Sequence, residues 1–183
     1  MRARLSAMLA CGMLVACGML AACAPPPAGG AYRDTGQPLS VTTRSDPSRL
    51  AGDWVPRRAT PDAAGLTQVS YLPGRAEAFA LTRRFCEDDT GRCELRRSTR
   101  AATRLGMNRW RLAGDGAPQE IWVVWVDEGY RTAAIGTPDG SFGWILDRAA
   151  TGGEDRITAA QEILEFNGYI TGALQARGTG GDT

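Results

Sequence analysis

The sequence predicts an all-β protein, an eight-stranded antiparallel up-and-down barrel with one C-terminal α-helix packed outside it. Two observations carry this. From Arg49 to Arg148 the chain reads as eight short segments of strand-forming residues separated by turn signals, and a single amphipathic helical pattern follows them. A third is the run Ile121–Val126, apolar on both faces, which needs cover outside the barrel as well as inside.

The strands are expected at 51–58, 66–73, 77–86, 93–103, 107–112, 119–126, 130–136 and 141–148. Most alternate between apolar and polar residues, as strands with one solvated face do. The helix is expected at 154–167, opened by acid in its first turn (Glu154, Asp155) and closed by Asn167-Gly168. Ile157, Ala160, Ile163 and Leu164 share one face, which can cover strands six to eight. The Gly-rich end, 178–183, reads as a frayed tail.

Composition narrows the chemistry. Among 183 residues there are 21 basic and 20 acidic ones, and there is no histidine. Every basic residue is arginine. Imidazole-based catalysis and histidine metal sites are therefore excluded, as are lysine Schiff bases. Near-neutral charge argues against a nucleic-acid partner, which needs a basic excess. Asp127 and Glu128 lie in a turn with no nucleophile or metal cluster beside them, so the reading is of a protein that is not an enzyme, with no catalytic residues, metal or cofactor.

At the N-terminus, Arg2 and Arg4 precede an uncharged stretch from Leu5 to Ala22, which ends Leu20-Ala21-Ala22-Cys23 before Ala24-Pro25-Pro26-Pro27. This resembles a bacterial lipoprotein signal, which implies removal of residues 1–22 and lipidation of Cys23. Cys17, in a similar Leu-Val-Ala-Cys sequence, is the alternative. The implied location is the bacterial cell envelope, on the periplasmic face of the outer membrane. Residues 23–48, rich in Thr, Ser, Pro and Gly, read as lipidated cysteine and flexible tether, and 49–177 as the folded domain. Of the cysteines past Cys23 only Cys86 and Cys93 remain, flanking an Asp-Asp-Thr-Gly turn, and they are expected to be bonded to each other.

Several residues carry a family resemblance. Gly52-Asp53-Trp54 matches the Gly-x-Trp signature of lipocalins. The block from Trp122 to Gly136, with Asp127 and Tyr130, then Gly143-Trp144-Ile145-Leu146-Asp147-Arg148 and the helix after it, is similar to bacterial and apolipoprotein D-like lipocalins. The resemblance implies structural roles for Gly52, Trp54, Asp127, Tyr130 and Arg148, with Arg148 stacked on Trp54 at the closed base. It implies a lumen as the binding surface, with Val69, Tyr71, Trp122, Val124, Val126, Phe142, Trp144 and Leu146 facing it by strand alternation. Trp125, Ile145 and Asp147 then face outward.

Such a lumen suits an acyl chain, since burying about 12–16 methylenes yields roughly 10–13 kcal/mol before association costs. The implied function is storage or transport of fatty acids, lysophospholipids or similar small hydrophobic ligands. The other reading keeps the barrel filled with side chains, as an envelope module that contacts proteins. A homodimer is left open. Nine arginines between Arg83 and Arg111 either rim the mouth or form the solvated face of a hairpin.

Overall fold

The computed structural model describes residues 31–114 and 119–177. The expected signal segment 1–22, Cys23 and its alternative Cys17, and the expected tail 178–183 lie outside them.

A one-turn helix α1 (Pro47–Leu50) leads into strands β1 (Gly52–Ala59), β2 (Leu66–Leu72), β3 (Ala78–Cys86), β4 (Cys93–Gly106), β5 (Arg109–Leu112), β6 (Gln119–Val126), β7 (Thr132–Gly136) and β8 (Gly143–Asp147). Helix α2 (Glu154–Phe166) and a two-residue strand β9 (Gln175–Ala176) follow. Each strand pairs antiparallel with the next from β2 to β8, and β1 closes the barrel. One edge of β1 meets β2 through Gly52↔Tyr71 and Trp54↔Val69, and the other meets β8 from Val55↔Asp147 to Ala59↔Trp144. Above Trp54 the β1–β2 seam parts, and β9 takes the freed edge at Arg58 and Ala59.

The eight strands and the helix lie where the hydrophobic periodicity placed them. The seventh strand starts two residues late because a tight turn occupies Asp127–Arg131, with Tyr130 in the left-handed region at φ 56°. The Asp127 carboxylate organises that turn by accepting the backbone N–H groups of Gly129, Arg131 and Thr132. Burial opposes its ionisation, but the amide donors and the Arg131 side chain outweigh this and hold the carboxyl below the usual range.

Helix α2 runs from the closed base toward the open end and lays Ile157, Ala160 and Leu164 on Val124, Ala134 and Ile145. Its far end is fixed by Tyr169, whose hydroxyl donates to the Phe142 carbonyl at 2.7 Å and accepts from the Thr137 N–H at 2.9 Å. The ring fits only because positions 136 and 143 are glycine: a Cβ at Gly143 would sit 2.5 Å from the Tyr169 ring. Burial pushes the Tyr169 hydroxyl up to about 12. Among the described residues no helix is long and apolar enough to cross a membrane.

Cys86 and Cys93 are directly opposed across the β3–β4 ribbon and form a disulfide. Beyond Arg83, the last β3 residue that β2 reaches, the ribbon projects past the rim with its side chains exposed. Six of the nine arginines between Arg83 and Arg111 lie on the ribbon strands from Arg83 to Arg100 or in the turn between them.

Residues 31–48 correct the expectation of a flexible tether. They form a strap from the mouth to the base of the barrel. The Tyr32 N–H donates to the Gly140 carbonyl, the Thr42 N–H to Val123, and the Asp46 N–H to the Tyr130 hydroxyl. Arg33 is buried, and its guanidinium donates to the carbonyls of Asn167, Pro138 and Gln37. Asn108, at the base, donates to the carbonyls of Thr42 and Arg44. A polar, aperiodic segment is held here by hydrogen bonds to its backbone, by the Arg33 side chain and by Tyr32 and Leu39 packed against the outer apolar cluster, rather than by a periodic apolar stripe.

Candidate functional site

The interior of the barrel is the candidate site, and its base is built first. The Trp54 indole donates to the Leu50 carbonyl at 2.9 Å, and the Arg148 guanidinium lies 3.6 Å above the Trp54 ring. Arg148 also donates to the carbonyls of Asp53 at 2.8 Å and Arg49 at 2.7 Å, tying β8 to the entry of β1. Gly52 takes φ +87°, and a Cβ there would lie 3.6 Å from Arg148 Nη1. Beside it Arg49 covers the Tyr130 ring at 4.2 Å. Base closure is therefore a pair of guanidinium–aromatic stacks, with Arg148 also held by backbone carbonyls.

Above the base the wall is aromatic. Tyr71, Phe79 and Trp110 form a cluster with centroids 5.0–5.5 Å apart. One polar patch interrupts it. Arg104 donates to the Tyr71 hydroxyl at 3.0 Å and to Glu77 at 2.7 Å, and the Trp110 indole also donates to Glu77. Burial and the Glu77 charge raise the Tyr71 hydroxyl, with Arg104 opposing.

At the mouth, Phe142 and Trp144 stack at 4.3 Å, both buried. The 60–65 loop folds over them: Thr60 exchanges hydrogen bonds with Gly143, and Ala63 joins the interior cluster. The Trp144 indole N–H is buried without a hydrogen bond of ordinary geometry. It nevertheless lies close enough to favour the ionised form of Asp62, whose carboxyl is raised by desolvation against this and a hydrogen bond from Thr60.

Of the residues expected to face the lumen, Val69, Tyr71, Trp144 and Leu146 line it. Phe142 and Val126 belong to the same buried cluster at its two ends. Trp122 and Val124 do not. A bulge in the β6–β7 pairing, between Val123 and Trp125, switches the alternation of β6. Ile121 and Val123 thereby face in, and Val124 turns out under α2. Trp122 lies outside under Arg109, its indole donating to Glu120.

Sequence reasoning missed Phe79, Trp110, Ile121, Val123, Ala133 and Ile135. For Trp110 a signal existed, since the alternation Arg109-Trp110-Arg111-Leu112 points Trp110 and Leu112 inward.

These side chains nearly fill the barrel. The enclosed cavity is about 30 Å³ and its lining is almost wholly apolar. That holds about one water molecule, whereas ligand pockets commonly measure about 300–1,000 Å³. The expected ligand-sized lumen is closed in this conformation because Trp54, Tyr71, Phe79, Trp110 and Trp144 all point into it.

The lobster protein apocrustacyanin A1 is similar in structure, with a TM-score of 0.55 and 12% identity over 73% of this chain and 79% of that one. The cockroach allergen Per a 4 is similar with a TM-score of 0.57 and 14% identity, over 82% and 96% respectively. At such identities the likeness is one of fold. Comparison with curated proteins finds no sequence match. A family model for a lipocalin-like domain matches residues 88–179, half of the chain, taking in the tip of the β3–β4 ribbon, β4 to β8 and α2. With the closed eight-stranded barrel, the external helix and that match together, the chain belongs to the lipocalin-like domain family.

Proposed function

We propose that this protein is a non-enzymatic, membrane-tethered lipocalin that takes up fatty acids, lysophospholipids or similar amphiphiles in the bacterial envelope. In this reading residues 1–22 are removed, Cys23 carries the lipid, and the protein stands on the periplasmic face of the outer membrane. The observation that carries the ligand class is the lumen wall: apolar from Trp54 to Trp144, with polar atoms confined to the Tyr71–Arg104–Glu77 patch and the Trp144 N–H. The family supports the coarser statement, that lipocalins bind or transport small hydrophobic molecules.

The small cavity sets a condition on this reading. An acyl chain enters only if the Phe142–Trp144 stack and the 60–65 loop swing aside, so part of the gain from burying methylenes goes to opening the barrel. The same cavity favours a second reading, a permanently filled barrel whose outer surface contacts other envelope proteins.

Titration of the delipidated protein with a long-chain fatty acid separates the two. Uptake must change the emission of Trp144 and Trp110, and organic extracts of protein isolated from membranes must yield a stoichiometric lipid by mass spectrometry. Unchanged emission together with lipid-free extracts selects the filled barrel.

A further inference from the structure

The strap fixes where the N-terminal anchor leaves the barrel. Had residues 23–48 all been flexible, the lipid could have reached either end. Instead the described chain begins at the mouth end, where Tyr32 bonds to Gly140 in the β7–β8 turn, Asp34 to the Gly168 carbonyl, and Ile170 back to the Tyr32 carbonyl. From Cys23 to Ala31 there are eight Cα–Cα steps, a reach of roughly 28 Å at full extension.

The same corner carries exposed apolar side chains. Phe166, at the end of α2, is 82% exposed and Ile170 is 42% exposed, both beside the strap's first contacts. Phe85 and Leu95 are exposed on the ribbon at this end. Neither Phe166 nor Ile170 lends its side chain to the barrel's fastening: Phe166 points away from the face that α2 packs, and the hydrogen bonds here run through backbone, Arg33, Asn167 and Tyr169.

We infer that the mouth end of this barrel rests on the lipid surface, held there by the short leash and wetted by Phe166 and Ile170. The inference rests on the reading that Cys23 is the anchored residue. The partner is a bilayer interface, met by apolar side chains rather than by charge, since the ribbon at this end carries Glu87, Asp88, Asp89 and Glu94 among its arginines. A hydrophobic ligand would then pass between bilayer and lumen with little exposure to water. The competing orientation is base-down, because Leu105 and Met107 in the β4–β5 hairpin are also exposed.

The test uses the chain from Cys23 to Thr183, which contains every described contact. Its remaining cysteines are disulfide-bonded, so Cys23 alone couples to maleimide lipid in phosphatidylcholine vesicles. Phe166→Trp and Met107→Trp place a reporter at each end, on exposed positions that leave the unfolding midpoint unchanged. With brominated phosphatidylcholine, F166W is expected to lose its added emission while M107W keeps it. Quenching at Met107 instead, or at neither position, overturns the inference. The mass of the protein isolated from its native membrane reports the anchor separately: an unmodified Cys23 there overturns the anchor reading, whatever the quenching shows.

Discussion

Replacing Arg148 by methionine removes one guanidinium and keeps most of the apolar stem. Four contacts are lost, the stack on Trp54 at 3.6 Å, the hydrogen bonds to the Asp53 and Arg49 carbonyls, and a longer one at 3.4 Å to the Tyr130 carbonyl. A cation–π contact contributes about 0.5–2 kcal/mol and a hydrogen bond from a charged donor about 1.5–3 kcal/mol. The guanidinium is half-buried, and desolvation, only partly countered by Asp53 and Asp147, lowers its basicity, so part of that sum is already offset. A net loss of about 3 kcal/mol follows, a large share of the roughly 5–15 kcal/mol that holds a domain folded. In a chain of this size it corresponds to about 6–12 °C in Tm.

Urea unfolding followed by far-ultraviolet circular dichroism measures it directly, with the midpoint moving and the slope unchanged. Arg148→Lys is the informative companion, since a single ammonium cannot reach both carbonyls while facing the ring and so recovers only about 1 kcal/mol. An R148M protein within about 0.5 kcal/mol of the parent, or an R148K protein equal to it, would refute the view that the two carbonyl bonds seal the base.

Asp127 titrates below its ordinary value in the fold, so its contribution is complete above the unfolded value near 4 and fades as pH falls through the lowered one. Asp127→Asn should therefore destabilise at neutral pH and flatten the acid limb of a pH–stability curve. Tyr169 behaves oppositely: its hydroxyl is raised to about 12, the unfolded chain loses that proton first near 10, and stability should fall as pH rises between the two. Tyr169→Phe should reduce that alkaline slope to the part left by Tyr71, whose hydroxyl is also raised, and cost about 1–3 kcal/mol by leaving the Phe142 carbonyl and Thr137 N–H unpaired, read by denaturant titration. Cys86→Ser with Cys93→Ser should raise amide exchange in the ribbon from 84 to 95 while leaving exchange in β6–β8 unchanged, because the disulfide staples a segment that projects beyond the barrel.

Much of the architecture was legible because alternation is a local signal. Arg-Trp-Arg-Leu in β5, or the acid-opened, Asn-Gly-closed pattern of α2, states its own geometry. The register of β6 was hidden for the complementary reason: Ile121-Trp122-Val123-Val124-Trp125-Val126 contains no polar residue to mark a solvent face, so nothing in it announces the bulge that turns Val124 outward. The strap was illegible because its cohesion comes from partners more than sixty residues away, Asn108, Val123, Gly140 and Asn167, none of which a polar segment names. The closure of the lumen depends on which rotamers Trp110, Tyr71 and Trp144 adopt together, a property of the assembled wall rather than of any strand.

The buried Arg33 clamp also has a mechanical meaning. A pull on the N-terminal side meets, behind the two backbone hydrogen bonds of Tyr32, a guanidinium gripping three carbonyls from the β7–β8 turn, the end of α2 and the strap itself. Those bonds would be loaded before any force reached the ladder of β1. Tension would therefore peel the strap first and leave the sheet intact, so that Arg33 is the mechanical fuse between the strap and the barrel.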